Sequence, residues 1–413
     1  MQEGCMGEIW QSGQKNYISQ VILKVAARCN LNCSYCYVFN MADSSWKSRP
    51  ALMSNEVFEA ALARTLEQCR ATGQDRILLA FHGGEPCLIG PDRFDAWCAR
   101  AQAVLGKVVN LHLVMQTNGT LLDSRWIDLL RKYEVSIGIS MDGPKEIHDA
   151  VRVDHRRQGS YDQVERGLRL LQEADIPYGV GCVIPLGADP LVVHRHFLQL
   201  ACKQITYLMP HFTHDTIAPI WQRYGATPCA DFLIPIFDDW WFEGTMEFQI
   251  NNLKDVARVI MGGQSHSEAI GNGPPGYVFI EADGEMEGLD NLRACGEGLS
   301  RIKLNVRNSS FFDLLRTETM HAQAIFEGMP LAQTCRDCSE AKTCAGGHLA
   351  HRFSSARGFD NPSVWCADLL KLFSHVRARM GVSLQETDEF RRTLAMRNAI
   401  SLDAAPRLSP SPA

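Results

Sequence analysis

Three cysteines near the start of the chain have the spacing of an iron–sulfur site. Cys29, Cys33 and Cys36 are separated by three and two residues. A loop with these intervals can wrap three corners of a cubane 4Fe-4S cluster through thiolates, and the fourth iron then has no protein ligand nearby. An open iron can bind a substrate or cofactor directly. A zinc knuckle that lacks its fourth ligand is the alternative, although zinc knuckles usually pair two Cys-x-x-Cys units.

A second cysteine group lies towards the C-terminus and includes one histidine, His348. Its members Cys335, Cys338, Cys344 and Cys366 have spacings that predict a cluster site, with a structural zinc site as the alternative. The chain has fifteen cysteines and no export signal, which argues against a disulfide framework. The scattered cysteines are predicted to be small buried apolar side chains. These are Cys5, Cys69, Cys87, Cys98, Cys182, Cys202 and Cys229.

Short apolar runs alternate with segments of helical period between about residues 20 and 245. The runs predict six strands, at residues 21–25, 77–81, 111–115, 135–140, 178–184 and 205–209. Helices are predicted between them, for example at 55–70 and 123–131. Six parallel strand-helix units form either a partial barrel or an open doubly wound sheet, and both bind ligands at the carboxyl ends of the strands.

The residues that could do chemistry follow the ends of four predicted strands. Cys29 follows the first strand, residues 83–86 the second, residues 116–119 the third and residues 142–144 the fourth. Because the carboxyl ends of parallel strands meet at one edge, we expect these segments to converge on a single mouth.

With these motifs the sequence resembles the radical S-adenosylmethionine (SAM) superfamily, in which an aromatic residue precedes the last of the three cysteines. Tyr35 matches that aromatic residue. The resemblance implies a partial (β/α)6 barrel in which the methionine part of SAM chelates the open iron. It also implies that an electron cleaves the sulfonium and that a 5'-deoxyadenosyl radical abstracts a substrate hydrogen.

The same resemblance implies further contacts to SAM. The Gly-Gly-Glu-Pro string would let the backbone approach the methionine ammonium, with the glutamate nearby. A glutamine, a serine and an arginine would hold the ribose and carboxylate; without the resemblance, the first two would be strand-end capping groups and the third a surface ion pair. The seven predicted contacts are Tyr35, Gly83, Gly84, Glu85, Gln116, Ser140 and Arg152.

The second cysteine group resembles the SPASM domain, which carries auxiliary iron–sulfur clusters in enzymes that modify ribosomally made peptides and proteins. By the family pattern its four cysteines hold one auxiliary 4Fe-4S cluster. Leu289 stands where the family commonly has a cysteine of another cluster, and His348 replaces the family's fourth cysteine. We therefore predict that a second auxiliary cluster is absent. Imidazole can ligate iron, but a site built from Cys295 and His348 would lack two further ligands.

Five further strings resemble the cyclophane-forming FxsB-type peptide maturases, at residues 237–241, 262–268, 287–292, 346–353 and 361–369. This resemblance implies carbon–carbon crosslinks between an aromatic ring and a β-carbon in a ribosomally made precursor peptide. The auxiliary cluster is then a plausible electron acceptor, and a flavodoxin or ferredoxin is the expected reductant. Asp290 is the candidate acid or base for the ring proton, with capping of a turn as the alternative role.

Other outcomes stay open at this stage. Anaerobic sulfatase maturases form formylglycine with the same two domains, although they generally keep both auxiliary clusters. Thioether formation and epimerisation are further enzymatic alternatives. A noncatalytic iron–sulfur or zinc scaffold that binds peptides is the alternative from another class, and the intact Glu85, Gln116 and Arg152 argue against it.

Composition limits the partners. Apolar residues make up 46% and charged residues 21% of the chain, and the net charge of -6 gives no electrostatic case for nucleic acid or an anionic membrane. No apolar run reaches the roughly 20 residues that span a bilayer, and no signal peptide is recognisable, so a cytoplasmic location is expected. The first strand begins too early for a leader-binding module ahead of it, so we expect leader capture elsewhere.

The predicted organisation has four parts. A radical SAM core domain occupies residues 18–245 and a bridging segment residues 246–270. A SPASM-like domain occupies 271–375, and a C-terminal helix with a disordered tail occupies 376–413. Phe237 and Trp241 are predicted to pack into the core, and His211 and His214 to serve a substrate loop or the structure.

Overall fold

The structure is a computed structural model that describes residues 17–244, 247–265, 267–271 and 273–403. The strands are β1 (Gln20–Ala26), β2 (Arg76–Gly83), β3 (Asn110–Thr117), β4 (Ser136–Ser140), β5 (Tyr178–Val183), β6 (Gln204–Leu208), β7 (Gln249–Ile250), β8 (Tyr277–Ile280), β9 (Glu285–Glu287) and β10 (Arg301–Asn305). The helices are α1 (Asn55–Thr72), α2 (Pro91–Val104), α3 (Ser124–Lys132), α4 (Lys145–Asp149), α5 (Tyr161–Glu173), α6 (Pro190–Gln199), α7 (Ala218–Tyr224), α8 (Pro228–Asp238), α9 (Asn251–Ile260), α10 (Phe311–Leu315), α11 (Met320–Phe326), α12 (Gln333–Arg336), α13 (Cys366–Met380) and α14 (Leu384–Asp403).

The first six strands are parallel neighbours in chain order, from β1 to β6. A doubly wound sheet would reverse the strand order beside its first strand, so the continuous order identifies the partial (β/α)6 barrel. All six predicted strands are confirmed to within two residues at each end. The predicted scattered buried cysteines are also confirmed where they are described, namely Cys69, Cys87, Cys98, Cys182, Cys202 and Cys229.

Local capping chemistry explains where the two predicted helices begin and end. Ser54 accepts a hydrogen bond from the backbone of Val57, and Gly73 closes α1 in the left-handed conformation, with φ of 64°. At α3 the side chain of Asp123 accepts from the backbone of Trp126. Asp123 is therefore the cap that precedes α3 and not its first helical residue.

The sheet continues beyond the six predicted strands. β7 extends it past β6, and β8 adds in parallel to β1, followed by antiparallel β9 and β10. The segment predicted as a separate loop-rich domain therefore contributes three strands to the same sheet. The four predicted boundaries stay predictions, but the sheet crosses the one placed at residue 271.

Helix α13 packs against the core of the sheet domain. The buried carboxylate of Asp368 accepts hydrogen bonds from the backbone N–H groups of Cys229 and Ala230, at 2.7 and 2.9 Å, and so caps α8. Trp365 is fully buried and donates from its indole nitrogen to Pro210 at 3.0 Å. This contact ties the end of the second cysteine group to the segment after β6. The predicted tail at 404–413 lies outside the described residues.

The tryptophan pair after α8 differs from the prediction. Trp240 is the buried member and donates to the carbonyl of Phe248 at 2.8 Å, whereas Trp241 is 41% exposed and stacks on Phe237. A π-helical turn at Asp239–Glu243 rotates the two rings away from the positions that a regular helix would give them. None of the helices in the described ranges combines the length and apolar character that crossing a bilayer requires.

Candidate active site

A cavity of about 370 Å³ lies at the carboxyl ends of the parallel strands. Its wall contains the three cysteines of the first group, Cys29, Cys33 and Cys36. The ends of β2, β3 and β4 and the loops after them supply further polar groups. Six of the seven predicted SAM contacts are on this wall, namely Tyr35, Gly83, Gly84, Gln116, Ser140 and Arg152. The structure thus brings together the motifs that sequence analysis placed after separate strands.

The cysteine loop directs N–H groups at one of its sulfurs. The backbone nitrogen of Leu31 lies 3.4 Å from Sγ of Cys29, and the side-chain amide of Asn118 lies 3.8 Å from the same sulfur. Asn118 follows β3 and was not singled out by sequence analysis. Donors at these positions favour the thiolate form of the cysteine, which is the form that binds metal.

The three thiols suit a cluster better than a single metal ion. Within the described part of the chain, no three His, Cys, Asp or Glu side chains converge closely enough to hold one ion. Cysteines around a cubane are spread over its corners, so this arrangement disfavours the zinc alternative. Burial raises the pKa of Cys29 to about 12 and the pKa of Cys33 to about 11. Buried thiols of this kind release their protons when they bind a metal.

The two motif glycines allow β2 to end directly against the cysteine loop. A Cβ atom on Gly83 would lie 2.4 Å from the carbonyl oxygen of Ala26, and one on Gly84 would lie 2.2 Å from that of Arg28. Gly83 also has φ of 138°, which disfavours other residues. These glycines therefore position the loop that leads to Cys29. Their predicted contact with the methionine ammonium stays a prediction.

Glu85 is placed differently from the other predicted contacts. It is fully buried, and it is absent from the cavity wall among the residues that the structure describes. Its carboxylate accepts hydrogen bonds from the backbone nitrogens of Cys87 and Asn118, at 3.0 and 2.8 Å, and from the hydroxyl of Thr117 at 2.6 Å. Since its two oxygens are already occupied, Glu85 joins the ends of β2 and β3 and positions the neighbouring wall.

Two predicted contacts form a pair on the wall. Gln116 donates from its side-chain nitrogen to the hydroxyl of Ser140 at 3.0 Å. Both residues lie at the ends of adjacent strands and face the cavity. Strand-end pairing and ligand binding are compatible here, because a glutamine amide and a hydroxyl have further donors and acceptors.

A buried carboxylate positions the arginine on the wall. Asp142 accepts from Nε of Arg152 at 2.8 Å, from the hydroxyl of Tyr35 at 2.5 Å and from the backbone of Val183 at 2.9 Å. Although burial opposes its charged form, Asp142 raises the pKa of Arg152. Arg152 is thus held as a buried cation at the cavity, and not as the surface ion pair that sequence analysis left open. We call Asp142, Tyr35 and Arg152 the Asp142 group.

Asp290 lies behind the cavity wall. Its carboxylate accepts from the hydroxyl of Tyr37 and from Nζ of Lys24, each at 2.9 Å, and it does not cap its own turn. Burial favours the neutral acid, but Lys24 and His82 together with these hydrogen bonds hold the pKa of Asp290 below its ordinary value. Of Asp290, Tyr37 and Lys24, Tyr37 alone is on the wall among the described residues. We call Asp290, Tyr37 and Lys24 the Asp290 group.

Three histidines, His211, His348 and His351, complete another part of the wall. Sequence analysis predicted a substrate-loop or structural role for His211 and gave the other two no place on the wall. His351 Nε2 lies 3.1 Å from His211 Nδ1, and the rings of His211 and His348 are 5.3 Å apart. Burial lowers the pKa of His211 to about 3 and that of His348 to about 4. The position of His211 just after β6 was the available sequence signal. His214 instead contacts the carbonyl of Pro362 at 2.8 Å, which is a structural role.

The second cysteine group surrounds a cavity of its own, of about 210 Å³. All four cysteines line it, namely Cys335, Cys338, Cys344 and Cys366. The buried guanidinium of Arg352 donates to the carbonyl of Ala345 at 2.6 Å and to that of Gly347 at 2.9 Å, and so shapes the loop between the third and fourth cysteines. Its charge also opposes the rise in pKa that burial gives the Cys344 thiol. A set of four thiols beside a buried cation suits an anionic thiolate-bound cluster.

The region around Leu289 has a different character. Leu289 is buried in a small apolar cluster with Leu292, Ala324, Leu349 and Ala350. Cys295 packs against this cluster, and its sulfur contacts the carbonyl of Ala350 at 3.5 Å. Apolar side chains therefore fill the position where the family pattern has a cluster ligand.

Comparison with known proteins agrees with this geometry. Residues 23–190, which hold the three cysteines and most of the cavity wall, match the family described as the Radical SAM superfamily. The chain carries a radical SAM domain and is an enzyme. Such enzymes use a 4Fe-4S cluster to cleave SAM to 5'-deoxyadenosine and methionine, and the sites described above fit that cofactor pair.

Similarity to known proteins extends over most of the chain. A cysteine-type anaerobic sulfatase-maturating enzyme of Clostridium perfringens is 24% identical over 375 residues, covering 88% of this chain and 97% of the relative. A solved structure of native anSMEcpe with bound AdoMet and Cp18Cys peptide has a TM-score of 0.71 at 22% identity, covering 87% of this chain and 96% of that one. Streptococcus suis SuiB bound to precursor peptide SuiA has a TM-score of 0.56 at 13% identity, covering 87% and 78%. These structures share the fold.

Proposed function

We propose that this radical SAM enzyme modifies a ribosomally made precursor peptide and joins an aromatic ring carbon to a β-carbon of a nearby residue. The observation that carries the proposal is the apolar side of the cavity. Beyond the cysteines, the wall continues through Leu208, Met209 and Ile270. Leu208 is 45% exposed although it is apolar, so this wall is suited to an aromatic substrate side chain.

In this proposal the residues of the chain bind SAM, position the substrate and exclude water. When bound, the cluster and SAM supply a 5'-deoxyadenosyl radical that removes a hydrogen atom from the peptide. Arg152, fixed by Asp142, binds the SAM carboxylate, and the pair of Gln116 and Ser140 binds the ribose. The apolar wall holds the aromatic ring beside the β-carbon and excludes water. Crosslinking then releases one electron and one proton.

The auxiliary region supports an electron acceptor in the right part of the molecule. Four cysteines surround one cavity beside Arg352, and Trp365 next to Cys366 contacts the segment that forms the cavity wall after β6. We propose that these cysteines hold one auxiliary 4Fe-4S cluster that receives the electron. The apolar packing of Leu289 supports the expectation that a second auxiliary cluster is absent.

Formylglycine formation is the second candidate, and the 24% identity to the Clostridium perfringens enzyme favours it. Both reactions begin with removal of a β-hydrogen and need an electron acceptor. They differ in the product, because formylglycine is an aldehyde and a crosslink is not. The apolar packing at Leu289 favours crosslinking over formylglycine formation, because sulfatase maturases generally keep two auxiliary clusters and Leu289 stands where a ligand of one of them is expected.

Mass spectrometry of the product tests the proposal. The full-length protein is reconstituted anaerobically with iron and sulfide and incubated with SAM, a reductant and the short peptides encoded beside its gene. We expect loss of two hydrogens per link and a span without fragment ions that is bounded by an aromatic residue. A product that reacts with hydroxylamine would contradict crosslinking and establish the aldehyde. An unchanged peptide mass despite SAM cleavage would contradict both candidates for those peptides.

Iron analysis tests the number of clusters independently. Two 4Fe-4S clusters give about eight iron atoms per chain, and we expect this content after reconstitution. The Cys335→Ala variant should lose about four of them, because it removes one ligand of the auxiliary set. A content of about twelve in the unmodified protein would show that a second auxiliary cluster is present.

A further inference from the structure

One half-buried glutamate adjoins the histidines of the cavity wall and has no role in the function proposed above. Glu268 Oε1 lies 3.2 Å from Nδ1 of His348. The other nitrogen of His348, Nε2, has no hydrogen-bond partner among the residues that the structure describes, and His348 is part of the cavity wall. His348 therefore presents a free ring nitrogen to the cavity, and its Nδ1 contacts both the carboxylate of Glu268 and, at 3.1 Å, the side-chain amide of Asn291.

Glu268 connects this histidine to a second, smaller space. It lines a cavity of about 30 Å³ together with Gly271, Gly273 and Pro275, which is large enough for a water molecule. The side chain of Glu268 is 22% exposed and that of His348 is 16% exposed, so a proton on Glu268 can reach solvent. The neighbours Ser267 and Ala269 line the main cavity instead. Glu268 thus lies in the partition between the two cavities.

The charged and titratable surroundings favour proton movement in one direction. Burial lowers the pKa of His348 to about 4, with a further contribution from Arg352, whereas burial raises the pKa of Glu268 to about 7. A proton placed on the imidazole is therefore more stable on the carboxylate. The other groups that face these two residues are Tyr277, Asn291, Asp290, His211, His351 and Arg352.

Asp290 is less accessible for the same task. Its carboxylate lies behind Tyr37 and is bonded to Lys24, so a proton from the cavity would have to pass through the tyrosine hydroxyl. The imidazole of His348 is on the wall itself. The geometry of the two routes therefore favours the histidine.

We propose that His348 and Glu268 form the route by which the proton of each oxidative modification leaves the cavity. The proposal rests on the proposed function only in that the reaction is an oxidation. A hydrogen atom passes to the deoxyadenosyl radical, the carbon–carbon bond forms, and one electron passes to the auxiliary iron–sulfur cluster. The ring proton passes to Nε2 of His348 in the tautomer that carries its hydrogen on Nδ1, with the Asn291 amide turned so that its oxygen faces Nδ1. The proton on Nδ1 passes to Glu268, and Glu268 releases it to solvent.

Variants of the reconstituted full-length enzyme test this route with the peptides encoded beside its gene. In Glu268→Gln, crosslinks formed per SAM cleaved should fall at least about tenfold, because the relay loses its final acceptor. In the unmodified enzyme the crosslinking yield should rise with pH as Glu268 ionises near pH 7, and we call this rise the neutral limb of the pH profile. It should be absent in Glu268→Gln. In the matched control Glu389→Gln, an exposed glutamate on α14, both quantities should stay unchanged. An unchanged yield and pH profile in Glu268→Gln would overturn the proposal.

A second variant separates proton transfer from a structural role. Tyr277 donates its hydroxyl hydrogen bond to Glu268, and this bond lowers the pKa of the carboxyl. Tyr277→Phe should therefore move the limb of the pH profile to higher pH, whereas a limb that stays in place would contradict the route. Loss of a purely structural contact would lower the yield without moving the limb.

An infrared measurement of the resting enzyme tests the protonation of Glu268 even when the peptides are not modified. Failure of the unmodified enzyme to change any peptide mass would contradict the proposed function alone. The resting enzyme must still show a protonated-carboxyl band that titrates near neutral pH and is missing in Glu268→Gln. The band should shift in His348→Gln, since the side chain that contacts the carboxyl group at 3.2 Å is changed. Absence of the band in the unmodified protein would overturn the proton route.

Discussion

Two buried carboxylates border the cavity from different sides, and each is bonded to one tyrosine and one cation. The tyrosines flank the third cysteine of the first group, Cys36. The two sets are the Asp142 group (Asp142, Tyr35 and Arg152) and the Asp290 group (Asp290, Tyr37 and Lys24). In the first set the cation is on the cavity wall, whereas in the second only the tyrosine is. The same three kinds of side chain therefore serve different purposes.

The difference arises from what surrounds each cation. Among the residues that the structure describes, the side chain of Arg152 donates hydrogen bonds to Asp142 alone, so its remaining N–H groups are available to a ligand. Lys24 also pairs with Glu281, which in turn is bonded to Arg49 and Arg293. The Asp290 group thus belongs to an ion network that joins β1 to the segment from β8 to the turn after β9. Position in the network decides whether a charged group binds ligand or holds the fold together.

Breaking the ion network should have the largest effect. Arg293 is 1% exposed and lies 2.8 Å from Glu281 and 2.7 Å from Glu287. In Arg293→Ala these carboxylates lose a buried partner, so the free energy of unfolding should fall by about 3–5 kcal/mol. Urea unfolding of the cluster-free protein measures the change.

The neighbouring arginine of the same region is the control. Arg301 pairs with Glu285 but its side chain is 45% exposed, so Arg301→Ala should cost no more than about 1 kcal/mol. Equal losses in the two variants would mean that the buried network contributes no more than a surface pair. The contrast with the Asp142 group would then disappear.

Ligand binding should depend on the Asp142 group by a smaller amount. In Asp142→Asn, Arg152 loses the charge that fixes its guanidinium, and the affinity for SAM should fall about tenfold, or about 1.4 kcal/mol. Calorimetric titration of the reconstituted, unreduced enzyme with SAM measures this. Asp290→Asn should change the affinity by less than about twofold, since Asp290 is off the wall. A larger loss in Asp290→Asn would reverse the assignment of the two groups.

Sequence analysis predicted Tyr35 and Arg152 as SAM contacts by resemblance and placed residues 142–144 at the same mouth. It did not predict that Asp142 bonds both of them, and Tyr35 is 107 residues from Asp142 in the chain. Arg152 follows Asp142 by ten residues, and the strand before them has a clear apolar run. The six parallel strands and the convergence of their motifs follow from the same local patterns. The position of Glu85 behind the cavity wall could not be predicted, because the three donors to its carboxylate come from the end of the neighbouring strand and from its own turn.

The Asp290 side and the histidines could not be predicted in the same way. Lys24 meets Asp290 only because β8 adds to β1, and nothing in the short apolar run of β8 specifies that partner strand. His211 and His351 are 140 residues apart in the chain and meet through the packing of the second cysteine group against the segment after β6. Contacts between distant segments have no local sequence signal.

The pH dependence of stability should separate two carboxyl groups on this side of the cavity. Glu268 has a pKa raised by burial from 4.5 to about 7, so its stabilising contribution is complete below pH 4.5 and is lost as pH rises through about 7. The pKa of Asp290 is lowered, so its contribution is present above the unfolded value of 3.8 and is lost as pH falls through the folded value. Urea midpoints of the cluster-free protein between pH 3 and 8 measure both changes.

Each variant should reduce only one of the two pH-dependent changes in stability. Glu268→Gln should flatten the fall in stability between about pH 5 and 7 by at most about 1.4 kcal/mol per pH unit, because one proton is involved. Part of that fall should remain, since burial also raises the pKa of Asp368 to about 6. Asp290→Asn should flatten the change at acid pH and leave the change near neutral pH in place. If Glu268→Gln left the fall in stability between about pH 5 and 7 unchanged, Glu268 would be ionised throughout this range and could not receive a proton from His348.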